Sequence, residues 1–237
     1  MEEETLRRLA AELKLHIAID GPAGAGKSTV GEGLARALGC AYLDTGLMYR
    51  AITWMALKEG IPLSDAVALA ELADRANFSL SPNGRLLVNG VPAGDELRVP
   101  EVDAGVSEVS AHPEVRSRLV ARQRALAEGR CIVMVGRDIG TTVLPDAPIK
   151  LWVTASIEER ARRRFSERIP GAPPDDAEVL RRMRERDAYD SARPASPLRR
   201  ADHAVDIHTD GVSPGQALEE ALTVVAATVG RLRAAAS

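Results

Sequence analysis

Short apolar runs alternate with helical patterns along most of this 237-residue chain. Residues 15–19, 131–135 and 150–153 are apolar enough to form buried strands. Residues 27–38 instead repeat their apolar positions every three or four residues, which is the spacing of one helix face. This alternation predicts an α/β protein in three layers, with a parallel central sheet covered by helices.

One region breaks the alternation. Residues 77–91 read NFSLSPNGRLLVNGV, so two Asn-Gly pairs separate runs of only a few residues. Asn-Gly between apolar residues is a strong local signal of a two-stranded antiparallel hairpin. We therefore expect a small antiparallel β insert over about residues 77–98 of the chain.

Composition and charge narrow the class of partner. The formal net charge is only -3, so neither sign dominates and we expect no general affinity for nucleic acid or for a membrane surface. No stretch approaches the ~20 apolar residues of a membrane span. Residues 1–14 lack the pattern of a secretory signal and predict a short helical extension before a single domain at 15–237. Cys40 and Cys131 lie in apolar sequence, which favours two buried thiols and a cytoplasmic protein.

The strongest motif is a phosphate-binding loop. IAIDGPAGAGKST at 17–29 contains the spacing G-x-x-x-x-G-K-S/T between a predicted strand and a predicted helix. Its main-chain N–H groups and the positive end of the helix would hold the phosphates of ATP, the lysine would reach between the β- and γ-phosphates, and the serine would bind Mg²⁺. The predicted ATP-binding residues are Gly21, Pro22, Ala23, Gly24, Ala25, Gly26, Lys27, Ser28 and Thr29, with Ser28 as the metal ligand.

A loop of this kind serves motors, switches and kinases alike, so the phosphate acceptor must be sought elsewhere. LDTGLMYR offers Thr45 as a helix cap and Arg50 as a phosphate clamp. VGRDIGTT places Arg137 and Asp138 directly after a strand, at the edge where open α/β sheets bind ligands. A third segment, RERDAYDSAR, carries two arginines and an aspartate on one helix face if the helix extends that far: Arg186, Asp190 and Arg193.

An arginine-rich helix is predicted to cover the site as a lid over about residues 156–175. It begins with Ser156 and Glu159 at capping-box spacing, has an apolar stripe, and carries a ridge of arginines at Arg160, Arg164 and Arg168. Taken alone, such a charge run is usually a solvated face with salt bridges such as Glu159 to Arg163. Beside a phosphate cradle, a charge-neutralising cover is favoured, because phosphoryl transfer depends on positioning and on positive charge.

Five segments in this order resemble the bacterial-type cytidylate kinases: GPAGAGKST, LDTGLMYR, GRDIGTTVLPDAP, TASIEERARRR and RDAYDSARPASPL. The resemblance spans almost the whole chain. It implies a nucleoside monophosphate kinase of the P-loop superfamily that moves the γ-phosphate of ATP to CMP or dCMP with Mg²⁺. It also implies a monomer, with the β insert inside a monophosphate-binding region at about 45–118.

The resemblance assigns roles to matching positions. Ser107, Arg116 and Asp138 would read the cytosine edge, with Asp138 accepting from the amine that uracil lacks. Arg50, Arg137 and Arg193 would hold the acceptor phosphate, and Asp190 the ribose hydroxyls. The full substrate-binding set is Thr45, Tyr49, Arg50, Ser107, Arg116, Arg137, Asp138, Asp190 and Arg193, and the catalytic set is Lys27, Arg160, Arg164 and Arg186. Asp44 could cap a helix or lie near the metal, and the cap is favoured.

Two other functions stay open at this point. Another small-molecule P-loop kinase, acting for example on UMP or shikimate, would share the cradle but not the base reader. A nucleotide-dependent switch is disfavoured, because the sequence has no N-K-x-D guanine reader and a switch needs no second arginine-lined site.

Overall fold

The computed structural model describes residues 2–166, 176–193 and 196–236. Eight strands occur in these residues. They are β1 (His16–Asp20), β2 (Ala41–Asp44), β3 (Phe78–Leu80), β4 (Leu86–Val88), β5 (Val91–Pro92), β6 (Ile132–Val135), β7 (Ile149–Thr154) and β8 (Val205–His208). Five of them form a parallel sheet in the order β2-β6-β1-β7-β8, and the other three form an antiparallel sheet in the order β3-β4-β5.

Helices cover both faces of the parallel sheet. They are α1 (Glu3–Glu12), α2 (Lys27–Leu38), α3 (Thr45–Glu59), α4 (Ala66–Arg75), α5 (Pro100–Val109), α6 (Pro113–Ala127), α7 (Ile157–Ser166), α8 (Asp176–Ala192) and α9 (Pro214–Ala236). One core lies between the sheet and α1, α2 and α9, and a second between the sheet and α3 to α6. Neighbouring residues of β1 serve both, with Ile17 and Ile19 in the first and Ala18 in the second. The predicted three-layer α/β fold is confirmed.

The β insert forms where the Asn-Gly pairs predict it. Asn89 and Gly90 both have positive φ, 51° and 80°, which is the conformation that a two-residue hairpin requires. The first hairpin closes through Ser81, whose carbonyl accepts from the Gly84 amide at 2.8 Å. The Gly84 carbonyl in turn accepts from Tyr42 of β2 at 3.1 Å, so the insert is attached to the edge of the central sheet.

Helix α1 is packed into the core. Leu6, Leu9 and Ala10 are buried against the layer that contains α2 and α9. Arg7 donates to the carbonyls of Arg36 and Ala37 at the end of α2, at 2.9 and 3.2 Å. Helix α1 therefore stabilises the end of the helix that begins in the glycine loop. No helix among the described residues is both long and apolar enough to cross a membrane.

The prediction of two buried thiols is wrong. Cys40 and Cys131 form a disulfide, their Cα atoms are 4.9 Å apart, and both residues are only partly buried. Each cysteine directly precedes one of two paired parallel strands, and the next residues, Ala41 and Ile132, are register partners. The sequence pattern suggested apolar surroundings but could not show that the two strand starts are adjacent.

Candidate functional site

The glycine loop follows β1 at the carboxyl edge of the sheet. Gly21 has φ 148°, and a Cβ there would lie 1.9 Å from the carbonyl oxygen of Val153 on β7, so only glycine fits this close approach. Gly26, with φ 89°, turns the chain into α2. Lys27 is buried at the start of that helix, and its Nζ donates to the Pro22 carbonyl at 2.6 Å. The loop thus wraps around its own lysine.

The lysine lies among other positive groups. Burial lowers the pKa of Lys27 well below its usual value, and Arg137 and Arg186 lower that pKa further, while the carboxylates of Asp44 and Asp20 act in the opposite direction. Clustered positive charge beside a glycine loop favours an anion at this position.

Ser28 and Asp44 form the side of the site suited to a metal. The Ser28 hydroxyl lies 3.2 Å from Asp44 Oδ2, and Asp44 Oδ1 accepts from the Gly46 amide at 3.0 Å. Asp44 is therefore the N-cap of α3, as favoured from the sequence, whereas Thr45 is not a cap. The Thr45 hydroxyl donates instead to the Val135 carbonyl at 2.9 Å and joins α3 to β6.

The donor atoms present fit Mg²⁺ better than a softer metal. Among the described residues, no group of three or more His, Cys, Asp or Glu side chains could hold a metal ion. A hydroxyl and a carboxylate beside a phosphate cradle suit Mg²⁺, which keeps several waters and takes its other ligands from phosphates.

A buried ion pair joins α6 to the segment after β6. Arg116 donates to Asp138, and both side chains are less than a tenth exposed. The Arg116 guanidinium carbon lies 5.4 Å from the centre of the Tyr49 ring. Arg116 also donates to the Ser110 carbonyl at 3.2 Å. The structure therefore brings three predicted acceptor-site residues together, while the predicted Ser107 lies one turn before Ser110 on α5.

Asp190 holds two further arginines of the predicted set. Arg137 Nε donates to its carboxylate at 3.1 Å, and Arg193 lies 3.5 Å from it. Asp190 and Arg193 are both buried. Helix α8 ends at Ala192, so Arg193 follows the helix, and its Nη1 lies 3.4 Å from the Ser110 hydroxyl.

Asp103, on α5, contacts three more arginines of the predicted site. Arg50 and Arg164 each donate to its carboxylate, and Arg186 Nη1 lies 3.9 Å from it. Arg50 also donates to the Leu97 carbonyl at 3.0 Å, just before α5. Arginines of α3, α7 and α8 thus meet at one acidic residue of α5.

Helix α7, which belongs to the predicted lid, contacts the glycine loop. Arg160 is buried, donates to the Ala23 carbonyl at 3.2 Å and pairs with Asp187 at 2.7 Å. Ser156 caps the helix by accepting from the Glu159 amide at 3.3 Å. Glu159 pairs with Arg163 at 2.8 Å, which is the salt bridge expected of a solvated face. Helix α7 therefore has such a salt bridge as well as an arginine that contacts the glycine loop. Residue Arg168 and the predicted lid segment 167–175 lie outside the described residues.

Comparison with known proteins decides the family. The cytidylate kinase family model matches residues 17–227. The chain belongs to the cytidylate kinase family. The cytidylate kinase of Geobacillus kaustophilus is 47% identical over 221 residues, covering 92% of this chain and 99% of the relative. That of Mycobacterium avium is 49% identical over 208 residues, covering 86% and 91%.

Solved structures support the fold alone. A gluconokinase from Sinorhizobium meliloti matches with a TM-score of 0.51 and 16% identity, over 94% of this chain and 98% of that one. An uncharacterised protein from Eubacterium ventriosum matches with a TM-score of 0.53 and 13% identity, over 90% and 99%. Both likenesses concern the architecture alone.

Sequence reasoning missed Asp20. Its buried carboxylate accepts from the amides of Ile139 and Gly140 at 2.8 and 2.7 Å, and so fixes the segment that carries Arg137 and Asp138. Burial raises the pKa of Asp20 to about 6, against the lowering effect of these two amides. Asp20 ends a strand at the sheet edge, which is the signal that identified Asp138 and could have identified Asp20 too.

Two more supporting residues were also missed. Thr209 follows β8 and is buried, and its hydroxyl donates to the Ala25 carbonyl of the glycine loop at 3.0 Å and accepts from Arg163 of the lid at 3.0 Å. Asp210 caps α7 by accepting from the Ser156 amide at 2.9 Å. The end of β8 thus connects the lid to the cradle.

Proposed function

We propose that this chain moves the γ-phosphoryl group of ATP to CMP or dCMP, giving ADP and CDP or dCDP. The observation that carries the proposal is the arrangement of charge at the carboxyl edge of the sheet. Burial lowers the pKa values of Lys27 and Arg186 most, Arg137 lies close enough to lower both further, and Arg186 also lowers that of Lys27. Beyond them lies the buried Arg116–Asp138 pair. A phosphate bound between the glycine loop and this ion pair would balance the charge of the lysine and the arginines.

The buried pair suits cytosine. A carboxylate only accepts hydrogen bonds, so Asp138 complements the exocyclic amine of cytosine, and Arg116 complements the acceptor atoms of the same ring. Uracil presents an oxygen where cytosine presents that amine, which would leave the Asp138 carboxylate facing another acceptor. Sites built on such polar matches discriminate strongly, because the wrong substrate leaves buried polar atoms unpaired.

The roles proposed for the other residues are those that the family resemblance assigns to them. The main chain of residues 21–29 and Lys27 hold the donor phosphates, while Arg50, Arg137 and Arg193 hold the acceptor phosphate. Asp190 orients two of these arginines and binds the ribose. Arg160, Arg164 and Arg186 neutralise the transferred group, and Tyr49 walls the base. Ser107 and Thr45 complete the acceptor side from α5 and α3.

Transfer is proposed to be direct. The protein aligns donor and acceptor, supplies positive charge and excludes water as α7 closes, which suppresses hydrolysis of ATP. Ser28, with Asp44 beside it, would hold Mg²⁺, which neutralises charge on the phosphates when bound. We further propose that the enzyme is cytoplasmic and acts as a monomer.

The direct test is ADP formation with ATP and Mg²⁺ and one acceptor at a time: CMP, dCMP, UMP, AMP, GMP or shikimate. We expect turnover mainly with CMP and dCMP. The variant Lys27→Ala, expected to lose several orders of magnitude in rate, controls for contaminating kinases. Preference for UMP or shikimate would reject the assignment of the base-reading residues. If none of the acceptors supported ADP formation, a nucleotide-dependent switch would again have to be considered.

A further inference from the structure

Asp103 is a carboxylate on which three arginines from three helices converge. Its Oδ1 accepts from Arg50 of α3 and lies 3.9 Å from Arg186 of α8, and its Oδ2 accepts from Arg164 of α7. Both oxygens are therefore engaged by guanidinium groups, which is the way in which a phosphate also engages arginines.

These arginines are the ones to which the proposed function gives phosphate contacts. Arg50 is proposed to hold the acceptor phosphate, and Arg164 and Arg186 the transferred group. A nucleotide phosphate and the Asp103 carboxylate are both anions, so they cannot share the same donors without mutual repulsion. One must give way to the other at least in part.

We propose that Asp103 is an internal counter-ion that competes with the phosphate of the incoming nucleoside monophosphate for Arg50, and with the transferred phosphoryl group for Arg164 and Arg186. It holds the arginines of α3, α7 and α8 together and limits the affinity for the acceptor. This inference rests on the proposed function and adds a residue that determines how tightly the acceptor phosphate binds.

Exposure distinguishes Asp103 from Asp138 and Asp190. Its side chain is 26% exposed, and that of its partner Arg164 is 48% exposed, so the two can separate and each meet water. The side chains of Asp138 and Asp190 are only 7% and 6% exposed. Separating either of them from its arginine would leave a buried charge unpaired, which is costly. Asp103 is therefore the carboxylate that can separate from its arginines, whereas Asp138 and Asp190 stay paired with theirs.

Asp103 is charged when a phosphate arrives. Burial alone would raise the pKa of its carboxyl, but Arg164 and Arg50, with Arg186, outweigh burial and lower that pKa below its usual value. At neutral pH the competitor of the phosphate is consequently a full negative charge.

The test compares Asp103→Asn with the wild type in binding CMP and cytidine by calorimetry. Cytidine has the same base and ribose but no phosphate. Removing the competing charge should strengthen CMP binding about ten-fold and leave cytidine binding unchanged. Glu101→Gln makes the same change of charge at an exposed position on the same helix and should bind both ligands like the wild type. Asp103→Glu, which keeps the charge, should bind CMP close to the wild-type level.

Other outcomes overturn the proposal. Equal or weaker CMP binding by Asp103→Asn, with cytidine unchanged, would show that Asp103 positions the arginines and does not compete with phosphate. Weaker binding of both ligands, or failure of the variant to fold in the presence of CMP, would show that the contacts of Asp103 with its arginines are needed for the structure of the site. A wild type that binds CMP but does not phosphorylate it would reject the proposed function and leave this comparison intact.

Discussion

The environment of Asp20 differs from that of an ordinary, solvated carboxyl. It lies buried at the end of β1, between the glycine loop and the segment bearing Asp138, and burial raises its pKa to about 6 from 3.8. The folded state therefore holds this proton more tightly than the unfolded chain. Ionising Asp20 costs folding free energy, so its contribution to stability is largest below pH 3.8 and declines as the pH rises to about 6.

This sign gives a pH prediction. The free energy of unfolding of the wild type, minus that of Asp20→Asn, should fall by about 2 kcal/mol between pH 4 and pH 6, and by about 3 kcal/mol in all before it becomes level above about pH 7. Urea denaturation at a series of pH values measures the difference. Asp202→Asn, at an exposed position, should show no such change. A flat difference for Asp20→Asn would mean that the buried carboxyl titrates normally.

At the level of single residues, the sequence identified which side chains belong to the candidate site better than it identified the residues that they contact. Glycine spacing identified the loop, and the arginines near strand ends identified the anion site, because both signals are local. The ion pair of Asp103 with Arg164 joins residues 61 positions apart and depends on how α5 and α7 meet. Thr45 was predicted to cap α3, but Asp44 is the residue that does so. Both residues are suited to an N-cap, and the choice between them depends on the residue at which the helix begins.

At the element scale, the disulfide joins the starts of β2 and β6. It closes a chain segment with a sequence separation of 91, which includes the insert and helices α3 to α6. In the chain-entropy view, a cross-link over a long loop stabilises a protein by restricting its unfolded state. It therefore ties together the part of the chain proposed to bind the acceptor.

Reduction should lower the free energy of unfolding by about 2–4 kcal/mol. Chemical denaturation with and without a reducing agent measures this, and alkylation followed by mass analysis reports whether Cys40 and Cys131 are paired. The double variant Cys40→Ser/Cys131→Ser should be insensitive to the reducing agent. Two freely alkylated thiols in the unreduced protein would contradict the pairing.

Elements with a strong local pattern were predictable. Helix α2 has the predicted bounds, and the second Asn-Gly pair forms the hairpin turn with two positive φ values. The order of strands in the sheet was not predictable, because it depends on which strand the chain returns to after the insert. That order places β6 beside β2 and so pairs the two cysteines.

For the whole molecule, the site is a meeting of strand ends and helices that are distant in sequence. The ends of β1, β2 and β6 supply the glycine loop, Asp44 and the Arg137–Asp138 segment, and α3, α6, α7 and α8 bring arginines over them. Asp103, Asp138, Asp187 and Asp190 each hold one or more of these arginines in place. This matched set of opposite charges lets a protein with little net charge hold a concentrated positive site.

Asp138 is proposed to select cytosine, and this selection can be measured as a ratio of two substrates. The specificity constants kcat/KM for CMP and UMP are measured for the wild type and for Asp138→Asn, whose amide can donate to the uracil oxygen. We predict that the CMP-to-UMP ratio falls by about ten- to a hundred-fold, while the KM for ATP changes little. An unchanged ratio in a folded variant would contradict the account.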